Sequence, residues 1–125
     1  MFESSAVLVV EDDPLVTEVV SRLLSSSGIE VLAAADGNEA IAVFKANAER
    51  ISCILLDFEI PGMHSARVLS VCQSLNADVA VLLASGYSLA QVSEDFPVSQ
   101  VKGFISKPFD KAHLLGELTK ILPVR

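Results

Sequence analysis

The sequence predicts an α/β fold, a doubly wound (βα)5 sheet of five parallel strands with helices on both faces. Five short apolar runs lack the polar alternation of a half-exposed strand, which indicates strands buried on both faces. Segments with apolar residues at helical spacing separate these runs. Polar residues directly follow several runs, as they do where parallel strands end at a ligand-binding edge.

The first strand, Ala6–Val10, is followed at once by three carboxylates. Asp13 and Pro14 predict the N-cap and first residue of a helix that we expect to end at Gly28. Its apolar residues recur at helical spacing and are Leu15, Val16, Val19, Val20, Leu23 and Leu24.

Residues 29–35 form the second predicted strand, and the next helix begins with a D-x-x-E capping box, Asp36 to Glu39. We expect Ile41 and Phe44 of this helix to face inward and the helix to fade near Glu49. The third strand, residues 51–57, ends at Asp57, just before a turn built on Pro61 and Gly62.

A less clearly capped helix is predicted at residues 65–75, and its proposed inner face consists of Val68, Val71, Cys72 and Leu75. The fourth strand, residues 79–84, runs out at Ser85. Ser88 and Gln91 then form an S-x-x-Q box for a short helix. The apolar residues of that helix, which Pro97 should stop, are Leu89, Val92 and Phe96.

Residues 102–106 form the fifth predicted strand, which leads into Lys107 and Pro108. Asp110 should cap the last helix, and Pro123 should end it. The expected inner face of this helix consists of Leu114, Leu115, Leu118, Ile121 and Leu122.

Composition limits the classes of function. A chain of 125 residues fits one domain, residues 1–125. Mean hydropathy is +0.51, but the longest apolar run, residues 79–84, is far shorter than the roughly 18 residues of a membrane span. The amino end resembles no signal peptide, so we expect a cytoplasmic protein with no membrane partner. A net charge of −7 argues against direct nucleic-acid binding.

The cysteines and histidines show no metal-ligand spacing. Cys53 and Cys72 stand nineteen residues apart, and neither His64 nor His113 has ligand spacing with them. We therefore expect two small buried hydrophobic side chains rather than a zinc site.

Four segments, VLVVEDDP, ILLDFEIPGM, LLASGY and GFISKPF, resemble in order and spacing the signature blocks of the response-regulator receiver domain of two-component signalling. The resemblance to this CheY-like superfamily covers essentially the whole chain. It implies a flavodoxin-like sheet with strand order 2-1-3-4-5. It also implies a phosphoacceptor that assists its own phosphorylation and dephosphorylation rather than an enzyme.

The resemblance assigns a role to each matching residue. Asp57 would accept the phosphoryl group, Ser85 would be the switch hydroxyl and Phe104 the switch aromatic. Lys107 would contact the phosphate, and a cis Lys107-Pro108 peptide would hold it inward. The metal ligands implied are Glu11, Asp12, Asp57 and the backbone carbonyl of Glu59. Glu59 and Tyr87 should flank the phosphoryl group, where we expect Tyr87 to exclude water.

Two places depart from the common family pattern, the start of the third helix and the pair of switch residues. His64 and Ser65 replace the usual acidic residue and glycine, so the start of the third helix is uncertain. The switch hydroxyl is Ser85 rather than threonine. Phe104 replaces a frequent tyrosine and, lacking a hydroxyl, would have to signal through packing alone.

Electrostatics explains why these carboxylates need a cation. Glu11, Asp12 and Asp57 sum to −3, and Lys107 returns the total only to −2. Like charges ~5 Å apart repel by ~3 kcal/mol at an effective dielectric of ~20. We therefore predict Mg²⁺, a hard cation that suits oxygen ligands and bridges to phosphate.

Three functions remain open from the sequence. The first is a phosphorelay switch, in which a histidine kinase or histidine phosphotransfer protein converts Asp57 to an aspartyl phosphate. This change would shift the surface of the fourth helix, fifth strand and fifth helix, which could bind an output domain or form a homodimer. The second is a phosphate-independent interaction module. The third is a phosphohydrolase that uses Glu59, two residues beyond Asp57, as its general acid.

Overall fold

The computed structural model describes residues 5–122 and contains one parallel sheet of five strands. The strands are β1 (Ala6–Val10), β2 (Glu30–Ala34), β3 (Ile51–Asp57), β4 (Ala80–Ser85) and β5 (Gly103–Ser106). Their order across the sheet is β2-β1-β3-β4-β5, and every pair is parallel. The predicted fold class and strand order are therefore confirmed.

Five helices connect and flank the strands. They are α1 (Pro14–Ser25), α2 (Gly37–Asn47), α3 (Ser65–Leu75), α4 (Leu89–Val92) and α5 (Lys111–Thr119). A short 3-10 helix, Val98–Gln100, lies between α4 and β5. None of the helices within residues 5–122 has the length and apolar character needed to cross a membrane.

The core consists of two apolar clusters, one on each face of the sheet. On one face, Leu8 and Val10 of β1 pack in a cluster that includes residues of α2, α3 and α4. On the other face, Val7 and Val9 pack in a cluster with residues of α1 and α5. Alternate residues of one strand thus enter opposite clusters, which explains why the runs in the sequence are wholly apolar.

Two helices end earlier than predicted. Helix α1 ends at Ser25 rather than Gly28, because the chain turns at Gly28 with a φ of +81°, and the N–H of Ile29 donates to the carbonyl of Leu24. Helix α5 ends at Thr119, although Leu122 beyond it remains buried. Pro123 lies outside the described residues.

Several predicted inner faces are wrong in part. Leu75 at the end of α3 is 44% exposed, whereas Leu69 is fully buried. The buried positions of α3 are Ser65, Val68, Leu69 and Cys72, a complete i, i+3, i+4, i+7 stripe that already covers the sheet. Val71 and Ile41 are only half-buried.

The apolar residues of α1 and α4 are buried only in part. Leu15 and Val19 of α1 are 71% and 56% exposed, because one stripe of that helix suffices to cover the sheet. Helix α4 spans a single turn, so the buried Phe96 lies after the helix rather than in it. Leu89, its first residue, is 48% exposed.

The predicted helix caps form with one change. The side chains of Asp13 and Asp110 accept hydrogen bonds from their own helices, and the reciprocal Ser88–Gln91 box is complete. Asp36 accepts from the N–H of Glu39, but the Glu39 carboxylate accepts from the N–H of Ala35 instead of Asp36. In this box, the side chain of Glu39 therefore bonds to the residue before the N-cap rather than to the N-cap itself.

Candidate functional site

The carboxyl edge of the sheet brings the predicted polar residues together. Asp57 is the last residue of β3 and lies opposite Ala84 of the neighbouring strand β4. Ser85 is the last residue of β4, Glu11 follows β1, and Lys107 follows β5. Residues far apart in the chain therefore meet because four parallel strands, β1, β3, β4 and β5, end side by side.

Three carboxylates share this edge. Oxygen atoms of Glu11, Asp12 and Asp57 lie within 4.8 Å of one another. Glu11 and Asp57 are buried, whereas Asp12 is exposed. Asp13 helps to hold the group in place, since its N–H donates to Oε2 of Glu11 at 3.1 Å. A cluster of carboxylate oxygens open on one side is the donor set that a hard divalent cation prefers, so these residues fit Mg²⁺.

Lys107 is the cation that contacts the buried carboxylates. Its Nζ donates to Oε1 of Glu11 at 3.0 Å and to Oδ2 of Asp57 at 3.2 Å. The Lys107–Pro108 peptide is cis, as the resemblance implies, and the N–H of Lys107 donates to the carbonyl of Ser85 at 2.8 Å. The side chain of this residue thus connects the end of β5 to the acids at the ends of β1 and β3, and its backbone connects it to β4.

Burial is the largest single influence on the pKa of each of the two central groups, Asp57 and Lys107. Burial and, after it, the charge of Glu11 raise the pKa of Asp57 to about 6, although Lys107 and the N–H of Glu59 act to lower it. Burial also lowers the pKa of Lys107, but its hydrogen bond to Glu11 and the charge of Asp57 outweigh this effect and leave the pKa above its ordinary value. Lys107 is therefore charged, and Asp57 is mostly ionised at neutral pH. Ionisation of the buried Asp57 lowers the stability of the folded state.

Ser85 is 1% exposed and already makes one hydrogen bond. Its Oγ accepts from the N–H of Tyr87 at 2.9 Å. A hydroxyl that accepts one bond still has its own hydrogen to donate. Ser85 can therefore offer a donor at the end of β4 without giving up its contact with Tyr87.

The remaining predicted residues lie around this centre. Phe104 is half-buried in β5 and packs against the cluster that contains Val92 and Phe96. Tyr87 is 46% exposed, and Glu59 is exposed. Their positions are known, but the switch role of Phe104 and the modulating roles of Tyr87 and Glu59 stay predictions.

Phe58 and His64 were not assigned roles from the sequence. The ring of Phe58 makes edge-to-face contacts with His64, Tyr87 and Phe96, at centroid distances of 6.0, 6.4 and 6.0 Å. His64 is the N-cap of α3, where its Nδ1 accepts from the N–H of Ala66 at 3.0 Å. Histidine is not among the common N-cap residues, so this cap was not predicted from the sequence.

A second feature beside the site is an apolar groove of about 460 Å³. It runs along α1 and adjoins Lys107, Pro108 and Phe109. The exposed Leu15 and Val19 form part of its wall. The signal in the sequence was the number of apolar residues in α1, which exceeds what one inner face requires.

Comparisons with known proteins agree with this fold. The family model described as the response regulator receiver domain matches residues 7–119. The sensor kinase CckA of Brucella abortus is 28% identical over 95% of this chain, which spans only 13% of that kinase. Chemotaxis protein CheY4 of Vibrio cholerae is similar in structure with a TM-score of 0.85 and 27% identity, covering 94% of this chain and 98% of its own.

A second similar structure was solved with a ligand. The response regulator TrrA of Thermotoga maritima, in complex with Mg²⁺-BeF, has a TM-score of 0.84 and 25% identity. The match covers 94% of this chain and 99% of TrrA.

The raised pKa of Asp57 predicts how stability depends on pH when divalent cations are removed. The native state keeps the Asp57 proton up to about pH 6, whereas an unfolded aspartate releases it near pH ~3.9. Between these values the native state binds the extra proton, so wild-type stability falls as pH rises through this window. Asp57→Asn cannot ionise and should be more stable than wild type above the window, by at most about 3 kcal/mol.

Urea unfolding in EDTA at about pH 7.5 and about pH 4.5 measures this difference, which should shrink at the lower pH. Asp78→Asn, at an exposed aspartate far from the site in sequence, is the matched control and should show no such difference. Equal stabilities of Asp57→Asn and wild type at the higher pH would contradict the prediction.

Proposed function

The chain belongs to the response regulator receiver domain family, and on that basis we propose that Asp57 accepts a phosphoryl group as the switch of a two-component pathway. One observation carries this proposal. Asp57 is a buried carboxylate in contact with Lys107, and oxygens of two further carboxylates lie within 4.8 Å of it. Burying neighbouring carboxylates costs stability, and a purely structural role would not require it.

The reaction follows from the nature of the side chain. An oxygen of the Asp57 carboxylate attacks the phosphorus of the donor, the bond between phosphorus and the donor's leaving group breaks, and an acyl phosphate forms on Asp57. Because Asp57 is already mostly ionised at neutral pH, no general base is required. Lys107 and Ser85 are the donors available to the oxygens of the transferred group.

Mg²⁺ is the cofactor that fits the donor set. Glu11, Asp12 and Asp57 would hold it, together with the backbone carbonyl of Glu59. Its two charges would bring the local sum of −2 to zero and would neutralise phosphoryl oxygens as they approach the acids. Without that neutralisation, the three carboxylates would repel an incoming phosphate.

The phosphoryl group would change the surface through Ser85 and Lys107. A group of charge about −2 draws the hydroxyl of Ser85 and the ammonium of Lys107 toward itself. Both residues are joined to neighbouring segments, Ser85 to Tyr87 and Lys107 to β4. Their movement would shift a two-state equilibrium at α4, β5 and α5, where Phe104 packs and where an output domain or a second copy would bind.

The phosphoryl group would come from a histidine kinase or a histidine phosphotransfer protein. Such a protein must bring its phosphohistidine to Asp57 and therefore must cover the surface next to the site. The apolar groove along α1 adjoins Lys107 and leaves Leu15 71% exposed, which suits an apolar helix of the donor.

The other two functions have less support. A phosphate-independent interaction module would not need all five of the polar residues that meet at the sheet edge, namely Glu11, Asp12, Asp57, Ser85 and Lys107. A phosphohydrolase would need Glu59 as a general acid, but its side chain is exposed and only its backbone N–H contacts Asp57, at 3.2 Å.

Incubation with acetyl phosphate and Mg²⁺ should add one phosphoryl group to the wild-type chain and none to Asp57→Asn, which lacks the nucleophile. Intact-mass spectrometry measures the addition. Asp13→Asn, which keeps every other acidic residue, is the control and should still be labelled. Equal labelling of wild type and Asp57→Asn would exclude Asp57 as the acceptor, and no labelling of either would favour the interaction module.

Calorimetric titration of Mg²⁺ should distinguish two neighbouring aspartates. Asp12→Ala removes an oxygen from the acidic cluster and should weaken Mg²⁺ binding at least about tenfold. Asp13 instead caps α1, with its carboxylate accepting from the N–H of Leu15 at 3.0 Å. Asp13→Ala should therefore cost about 1 kcal/mol of stability and leave the affinity unchanged. The reverse pattern would show that the wrong aspartate has been assigned to the metal.

A change in the groove should affect transfer from a protein donor but not from a small molecule. Leu15→Glu places a charge on the groove and should slow labelling by a histidine kinase of the same organism that phosphorylates the wild type. Labelling by acetyl phosphate should stay the same. Leu75→Glu alters a leucine that is 44% exposed on α3, outside the groove, and serves as the control. Equal rates for both variants would rule out the groove as the docking surface.

A further inference from the structure

A cleft of about 390 Å³ opens on the side of the site away from α1. It is lined by Phe58, Tyr87, Gln91, Glu94 and Asp95, and we call it the aromatic-acidic cleft. Phe58 is the residue after Asp57, and the other four belong to the segment from the end of β4 to just beyond α4. None of these residues lines the apolar groove or belongs to the carboxylate cluster.

The wall of the cleft combines two kinds of groups that attract cations. Phe58 and Tyr87 are held edge to face, at a centroid distance of 6.4 Å. Phe58 is fixed further by the buried Phe96. Their rings therefore have a defined orientation, and an aromatic ring attracts a cation that lies over its face.

The acidic part of the wall is exposed and only weakly neutralised. The carboxylate of Asp95 lies 3.8 Å from Nε2 of His64, and its side chain is 65% exposed. Glu94 is also exposed. The described residues that line the cleft include no lysine or arginine. A cation placed between the rings and these carboxylates would interact favourably with both.

Arginine suits this combination better than lysine. Its planar guanidinium can stack on an aromatic ring while its N–H groups donate to a carboxylate. A lysine ammonium is a compact, strongly hydrated charge that cannot do both in the same geometry.

We propose that the aromatic-acidic cleft binds an arginine side chain of a partner protein. A partner seated there lies against the residue that follows Asp57 and against the turn in which the N–H of Tyr87 donates to Ser85. The partner thus contacts the chain next to Asp57 and next to Ser85 without entering the carboxylate cluster. This inference does not depend on phosphoryl transfer to Asp57, so it can be tested on the unmodified chain.

Nuclear magnetic resonance titration with N-acetylarginine amide is the direct test. The signals of Phe58, Tyr87 and Gln91 should shift along one saturating curve. N-acetylcitrulline amide has nearly the same shape but no charge. Its affinity should be lower by a factor of at least about five. Equal affinity for the two compounds would overturn the proposal, as would shifts spread over the acidic surface without a maximum at the cleft.

A pair of double variants separates the cleft from the general negative charge of the chain. Glu94→Gln with Asp95→Asn should lower the affinity for N-acetylarginine amide about fivefold. Glu49→Gln with Asp78→Asn removes the same two charges from exposed positions outside the cleft and should leave it unchanged. Equal losses in both double variants would mean that only net charge attracts the probe. All four side chains are exposed, so both proteins should fold.

Discussion

The repulsion among three carboxylates at one edge of the sheet is the constraint on which the rest of the site depends. Two of them, Glu11 and Asp57, are buried, and burial together with the charge of Glu11 holds the pKa of Asp57 near 6. The surrounding contacts all reduce this repulsion. Lys107 bridges the two buried acids, and backbone N–H groups donate to each of them. The buried carboxylates of this site thus lower the stability of the fold, and these contacts offset part of that loss.

The central strands of the sheet hold the acids at a defined separation. β1 and β3 are buried on both faces, and each contributes alternate residues to the two core clusters. The acids sit at the ends of these two strands, so their separation is set by the spacing between paired strands. Lys107 follows the edge strand β5, whose residues are less buried than those of β1 and β3.

Apolar runs in the sequence were sufficient to predict the strands and hence the polar residues at their ends. The same reasoning failed at helix ends and outer faces. Spacing alone cannot show that Leu75 extends past the surface it would cover. The contacts of Phe58 were also hidden, because they depend on loops distant in sequence. The roles of Phe104, Glu59 and Tyr87 concern a change of state and remain predictions.

The single turn of α4 has a thermodynamic consequence. A helix this short has little hydrogen bonding to offset the entropy of its first turn, so its persistence depends on the Ser88–Gln91 cap and on the burial of Val92 and Phe96. A segment anchored by so few contacts belongs to the part of a fold that opens at low free energy. We therefore expect the backbone of this segment to open at a lower free energy than that of the central strands.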